Sequence, residues 1–274
     1  MNVVWGLGIL AVAVAVAVAA MLLVRRRAPE GSYFSDGDRA SGVFGVLATG
    51  FAIFAGFVIF LAFTSYDQSR AGGEAEALAV VQQFQTAQFL PADARNRLSG
   101  ELVCYARSVV HEEWPQMEDG AAGNAINPWG LALFRSLKTV NLDSPSEEAA
   151  YGKWLDETSD REEARRDRLH GASGIIPTSI WLVLFFVAGV VFAYMLFFAD
   201  SGERALSQAM LMGSATAVVV ATLLAIYALD NPYQSGVGNI EPVAMERSLS
   251  IIEEARTLLR DTAAVPCDER GSAR

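Results

Sequence analysis

Four apolar runs of about 20 residues, Val3–Val24, Val43–Phe63, Ile180–Ala199 and Ala209–Leu229, contain no charged residue and constrain the fold more than any other feature. A helix rises about 1.5 Å per residue, so each run is long enough to cross a hydrocarbon layer of roughly 30 Å. Only helices and closed barrels satisfy their backbone polar groups in lipid, and unbroken apolarity is not the alternating pattern of a barrel strand. The expectation is an all-α, multi-pass membrane protein: a four-helix transmembrane bundle with a helical soluble domain inserted between helices two and three. The spans divide the chain into residues 1–63 (helices one and two), 64–179 (soluble), 180–229 (helices three and four) and 230–274 (a tail with one amphipathic helix).

The chain has 274 residues and a net charge of −10, with most of its charge between the second and third runs. An acidic surface argues against nucleic acid as a partner, because phosphate binding needs basic residues to displace counterions. Ala17-Val18-Ala19-Ala20 resembles a signal-peptide cleavage site, but no basic stretch precedes the first run and Arg25-Arg26-Arg27 follows it, so it is expected to be retained as a membrane anchor. A bilayer is the expected partner, and the plasma membrane the expected location. Two further partners are open: other copies of the chain, and a protein that contacts the soluble domain.

Orientation is argued both ways. Arg25, Arg26, Arg27 and Arg39 mark the first loop as cytoplasmic, which puts the middle domain and the tail outside. Arg161, Arg165, Arg166 and Arg168 pull the other way, but charges in a long loop count for less. The reading adopted is an extracytoplasmic soluble domain. Cys104 and Cys267 then share a side of the membrane; whether they pair is open.

In the soluble region, Gly72-Gly73 invites a break after the second span, and Leu78, Val81 and Phe84 suggest one helical face ending at Pro91. Leu98, Leu102, Tyr105 and Val109 form an amphipathic stripe, with Pro115 as its stop. Residues 118–127 read as a loop, and Trp129, Leu133, Leu137 and Val140 as the face of a shorter helix. Ser144, Pro145 and Glu147 spell a capping box. Beyond it, Glu157–Arg161 and Glu162–Arg166 are i,i+4 pairs of a solvated face.

Signals for catalysis are weak. His111-Glu112-Glu113-Trp114-Pro115 opens like a zinc-protease helix but has Pro115 where a second histidine is required. No enzyme, metal or cofactor is expected. The spans lack the ionisable residues that proton-coupled transporters carry at membrane depth. The second span has a candidate pore lining, in which Phe51, Phe54, Phe57, Phe60 and Phe63 recur every three residues among Gly50 and Gly56. The same residues also suit helix packing. Trp5, Trp181, Tyr66, Tyr194 and Tyr227 lie toward segment ends, where amphipathic rings anchor at the interface.

Several motifs, in order, resemble the bestrophin-like family of bacterial multi-pass membrane proteins. They are the arginine cluster after span one, Glu112-Glu113-Trp114-Pro115, and Arg165–Leu169 leading through Gly174 and Pro177 to Trp181. Leu229-Asp230-Asn231-Pro232-Tyr233 closes the series after span four, followed by Gly236 and Pro242. Bestrophins are pentameric anion channels with four membrane helices and an Asn-Pro-Phe-Gly turn after the last. Asn231-Pro232-Tyr233 looks like that turn, with Gln234 in the glycine position. The acidic calcium-binding run of animal bestrophins has no counterpart in residues 235–239, so the resemblance implies no calcium gating. It also implies a cytoplasmic middle region, against the arginine count in the first loop. Two functions are therefore carried forward: a membrane-anchored interaction or sensory module acting through the soluble domain, and an oligomeric ion channel or passive pore.

Overall fold

A computed structural model describes residues 3–121, 126–236, 238–261 and 263–274. In chain order the helices are α1 (Val3–Arg25), α2 (Gly37–Ala87), α3 (Ala92–Ser108), α4 (Trp114–Glu118), α5 (Pro128–Leu137), α6 (Pro145–His170), α7 (Thr178–Phe197), α8 (Ala205–Asp230) and α9 (Val243–Leu258). A π-helical turn, Val109–Glu113, joins α3 to α4. Among the described residues the only β pairing is an isolated antiparallel bridge between Cys267 and Ala273. Four helices, α1, α2, α7 and α8, are long and apolar enough to cross a membrane, with mean hydropathies of 2.9, 2.5, 2.6 and 2.2.

The chain divides into two compact units. The first comprises α1, α2 up to Thr64, α7 and α8. Its core holds Phe51, Ala55 and Val58 of α2 against Leu184 and Val191 of α7 and Ile226 of α8. A second cluster joins Ala17 and Met21 of α1 to Met212 of α8. Beside it Gly213 faces Val14 and Val18, which would lie 3.4 and 3.6 Å from a Cβ built there. Small residues of this kind let membrane helices approach closely.

The second unit holds Ser65–Gly174, Asn231–Gln234 and Gly238–Arg274, so the tail is packed into it. Its axis is α3, whose Leu98, Leu102 and Tyr105 are wholly buried together with Val109 beyond it. Trp129, Leu133 and Leu137 of α5, Trp154 of α6, and Met245 and Ile252 of α9 complete the core. Ser144 caps α6 reciprocally with Glu147, as its motif predicts. The tail is fixed by a Cys104–Cys267 disulfide with Cα atoms 5.7 Å apart. Trp129 Nε1 donates to the Gly271 carbonyl oxygen at 2.6 Å. Gly271 has φ +88°, and a Cβ there would strike the Ser108 backbone, so both conformation and space require glycine.

Several local expectations are corrected. The helix runs through Gly72 and Gly73 because the missing Cβ is used for packing: at Gly72 it would lie 2.8 Å from the Ala164 carbonyl oxygen. Leu78 points outward, and Ala77, Val80, Phe84 and Ala87 form the buried face. Steps of three, four and three stay on one face of a 3.6-residue helix, whereas repeated threes drift off it. Pro115 does not stop the chain's helical course. It lacks an N–H and would press its ring on the carbonyl four residues back; the π turn widens the backbone there, and the Trp114 N–H reaches the Val109 carbonyl oxygen. Glu157 and Arg161 are buried, not solvated. Arg161 Nη1 donates to Gln83 Oε1 at 2.7 Å, and Glu157 Oε1 accepts from Thr86 Oγ1 at 2.9 Å. The loop expected at 118–127 lies partly outside the described residues, and its start, Glu118, closes α4.

Candidate functional site

Within the first unit, α2 has two unlike faces. Phe51 is buried, and Phe54 packs against the same cluster, formed with Leu184 and Ile226. Phe57, Phe60 and Phe63 are exposed at 64%, 63% and 52%, and Gly50 and Gly56 are open beside them. The candidate lining residues thus separate: two phenylalanines serve packing, and three stand on a face that touches nothing else in the unit's core.

That open face follows a regular step. Gly42, Val46, Thr49, Ile53, Gly56, Phe60 and Phe63 are all exposed and alternate spacings of four and three. A mean period of 3.5 falls just short of the helical 3.6, so the stripe winds slowly about α2, the pattern by which supercoiled helices pack around a common axis. A Cβ at Gly42, Gly45, Gly50 or Gly56 would meet nothing within 4 Å. The exposed face of α7 is bulkier, with Leu182, Val183, Phe185 and Phe186 and a single open glycine, Gly189.

Also in the first unit, Asp230 ends α8 and is buried. Its Oδ1 accepts from the Ile175 and Ile176 amides at 2.8 and 2.9 Å, and its Oδ2 from Trp181 Nε1 at 3.3 Å. One carboxylate therefore pins the entry to α7, which explains why an acid precedes the turn. Asn231 opens the turn itself, its carbonyl accepting from the Gln234 amide.

The second unit gathers the remaining motifs around Arg168. Its Nε and Nη2 donate to the two oxygens of Glu76, and Nη2 also reaches Glu113 Oε2 at 2.5 Å. Arg165 Nη2 and Asn127 Nδ2 donate to Glu113 Oε1 at 3.0 and 2.7 Å. Tyr105 Oη donates to Glu76 Oε1 at 2.6 Å, and the Arg161 guanidinium lies 4.8 Å from the centre of the Tyr105 ring. Tyr233 packs edge-on to Trp114 at 5.7 Å and donates its hydroxyl to the Arg168 carbonyl oxygen at 2.5 Å. Pro232 sits against Gly171, whose amide donates to Ser69 Oγ at 3.0 Å.

The electrostatics follow from this packing. Burial would raise the Glu113 carboxyl, but the Arg168 and Arg165 guanidiniums overcome it and hold the group below the usual carboxylate range. Burial, and after it the Glu76 carboxylate, push the Tyr105 phenol far up, so it stays a donor. Burial likewise raises the Tyr233 phenol. The charges of Arg168, Glu76 and Glu113 are matched by fixed partners, an arrangement that orders a fold.

Sequence reasoning found Glu113, Trp114, Arg165 and Tyr233 but missed Glu76, Ser69 and Tyr105 as their partners. Glu76 carries one faint signal, an acid at the centre of an otherwise apolar helical face flanked by Gly73 and Val80.

A family profile described as the Bestrophin-like domain matches residues 11–245. Two crystal structures of mutants of a bacterial bestrophin homologue from Klebsiella pneumoniae are similar to the chain. They superpose with a TM-score of 0.68 at 16% and 15% identity, covering 93% and 89% of this chain and 99% and 98% of theirs. A crystal structure described as that of a membrane protein gives a TM-score of 0.67 at 16% identity, covering 93% of this chain and 99% of that one. Among proteins with curated functions, none matches the sequence.

Proposed function

The chain belongs to the bestrophin-like family, and on that premise we propose that it assembles in the bilayer as a homo-oligomeric ion pore, with the open stripe of α2 facing the common axis. Channel formation is the property that the bestrophin resemblance brings. The observation that supports it here is the contrast between helices. The α2 stripe carries Gly42, Thr49 and Gly56 beside Phe60 and Phe63, whereas α7 presents lipid-suited bulk. Copies of α2 around an axis would place phenylalanine rings at a narrow apolar neck, a constriction that gates by dewetting. Anions are the permeant class implied by the family, and the reading calls for no catalytic step.

The interaction-module reading has less support. The main apolar faces of α3, α5 and α9 pack into the core of their own unit, and what they leave outside is scattered, with Phe134, Ile251 and Leu258 exposed.

The test is ion flux. The purified protein in liposomes should pass chloride when oligomeric, and no salt-dependent conductance in any oligomeric form would remove the proposal.

Orientation is part of the same proposal. The Cys104–Cys267 disulfide belongs to an oxidising compartment, which supports an extracytoplasmic second unit and agrees with the arginines of the first loop. Blocking free thiols in intact cells with a membrane-impermeant maleimide, then reducing and labelling, should reveal two thiols only after reduction. Two thiols free without reductant would place the unit in the cytoplasm.

A further inference from the structure

At one end of the membrane-spanning unit, the ends of α1 and α7 meet the starts of α2 and α8 around a cavity of about 470 Å³. Small-molecule sites occupy roughly 300–1,000 Å³. The floor is apolar and adaptable, with Met21, Met195, Met212 and Phe44. The rim is polar, with Ser41, Glu203 and Gln208.

Gln208 gives the rim its chemistry. It is buried, and its Nε2 donates to the Asp200 carbonyl oxygen at 2.9 Å and to Glu203 Oε2 at 3.1 Å. Both partners are acceptors only, so the amide cannot be turned round, and Oε1 is left without a donor. Buried polar atoms are normally paired; this acceptor, on a residue that lines the cavity, is closed to water, so a donor from outside the chain reaches it by parting the side chains over it. Glu203 adds a carboxylate. The nearby Arg25 does not neutralise it by contact, because its Nη2 is directed to the Ser201 and Glu203 backbone carbonyl oxygens at 3.0 and 2.5 Å.

We propose that this cavity binds a single-chain amphiphile with a primary ammonium head, its chain on the methionine floor and its N–H groups on Gln208 Oε1 and the Glu203 carboxylate. An ammonium supplies donors only and carries the charge opposite to Glu203, whereas a carboxylate head would set acceptor against acceptor. The site is independent of the pore reading, since it uses none of the exposed α2 stripe.

The test uses the full chain in phosphatidylcholine nanodiscs, which contain no competing primary amine. A dodecylamine bearing a mid-chain diazirine should, on illumination, label the peptides around Met195 and Met212. Unlabelled dodecylamine should compete for that labelling and dodecanoate should not. Glu203→Gln should weaken capture at least about tenfold, the loss of one charge-assisted hydrogen bond. Met212→Trp, which fills the floor, should abolish it. Equal competition by dodecanoate, or capture unchanged in Glu203→Gln, would overturn the proposal. The wild-type competition decides the matter even if a variant fails to fold.

Discussion

Arg168 and Glu76 bond to one another as a fork with both side chains wholly excluded from solvent. Neither charge has water to return to if the other is removed. Glu76→Ala should therefore destabilise the protein by about 3–5 kcal/mol, measured by denaturant unfolding in detergent micelles. Arg168→Lys should also destabilise, because an ammonium cannot make the two parallel bonds to Glu76.

Two glycines of α2 should respond oppositely to alanine. At Gly72 the added methyl meets the α6 backbone, which should cost about 1–3 kcal/mol. At Gly50 nothing lies within 4 Å, and replacing glycine inside a helix should be neutral or stabilise by up to about 1 kcal/mol. Thermal unfolding of the two variants side by side checks both signs.

Acid should weaken the second unit through Glu113. Its carboxyl is held below the ordinary range in the folded protein, so the stabilisation is fully present above the unfolded value of about 4.3. It is lost as pH falls further, through the depressed folded value. Glu113→Gln should remove that part of the acid sensitivity and lower stability at neutral pH. A pH series of unfolding midpoints for both proteins measures it.

The disulfide joins residues separated by 163 positions, for which the chain-entropy account gives about 5 kcal/mol. Cys104→Ser should lower stability by about 2–5 kcal/mol and expose the tail after Val265 to proteolysis. Limited digestion followed by mass spectrometry reads the second effect.

Phe60 is exposed within the chain, so Phe60→Ala should change stability by no more than about 0.5 kcal/mol. If α2 lines a pore, the same variant should raise liposome chloride flux several-fold by widening the apolar neck. Flux unchanged in Phe57→Ala, Phe60→Ala and Phe63→Ala alike would place the axis elsewhere.

The membrane spans and the stripe Leu98–Val109 were legible because periodicity and hydropathy are local properties of the chain. The capping box at Ser144 was legible for the same reason. Glu157 and Arg161 were misjudged because an i,i+4 pair looks the same on a solvated face as on a buried one. Only Gln83 and Thr86, contributed by another helix, decide between the two. Of the second span, the phenylalanine repeat is visible in the sequence, but which rings pack inward depends on α7 and α8. The Glu76–Arg168 pairing was not readable, since nothing in either residue's neighbourhood names the other across 92 positions.

The wide turn at Val109–Glu113 inserts the equivalent of one extra residue into an otherwise continuous α-helical path. Every side chain after it is set back by about 100° in azimuth relative to an uninterrupted helix. Helical-wheel bookkeeping begun at Leu98 therefore assigns Trp114 and Met117 to the wrong quadrant, although both are buried. A one-residue deletion in this turn would swing that pair out of phase with everything upstream, leaving hydropathy and composition almost untouched.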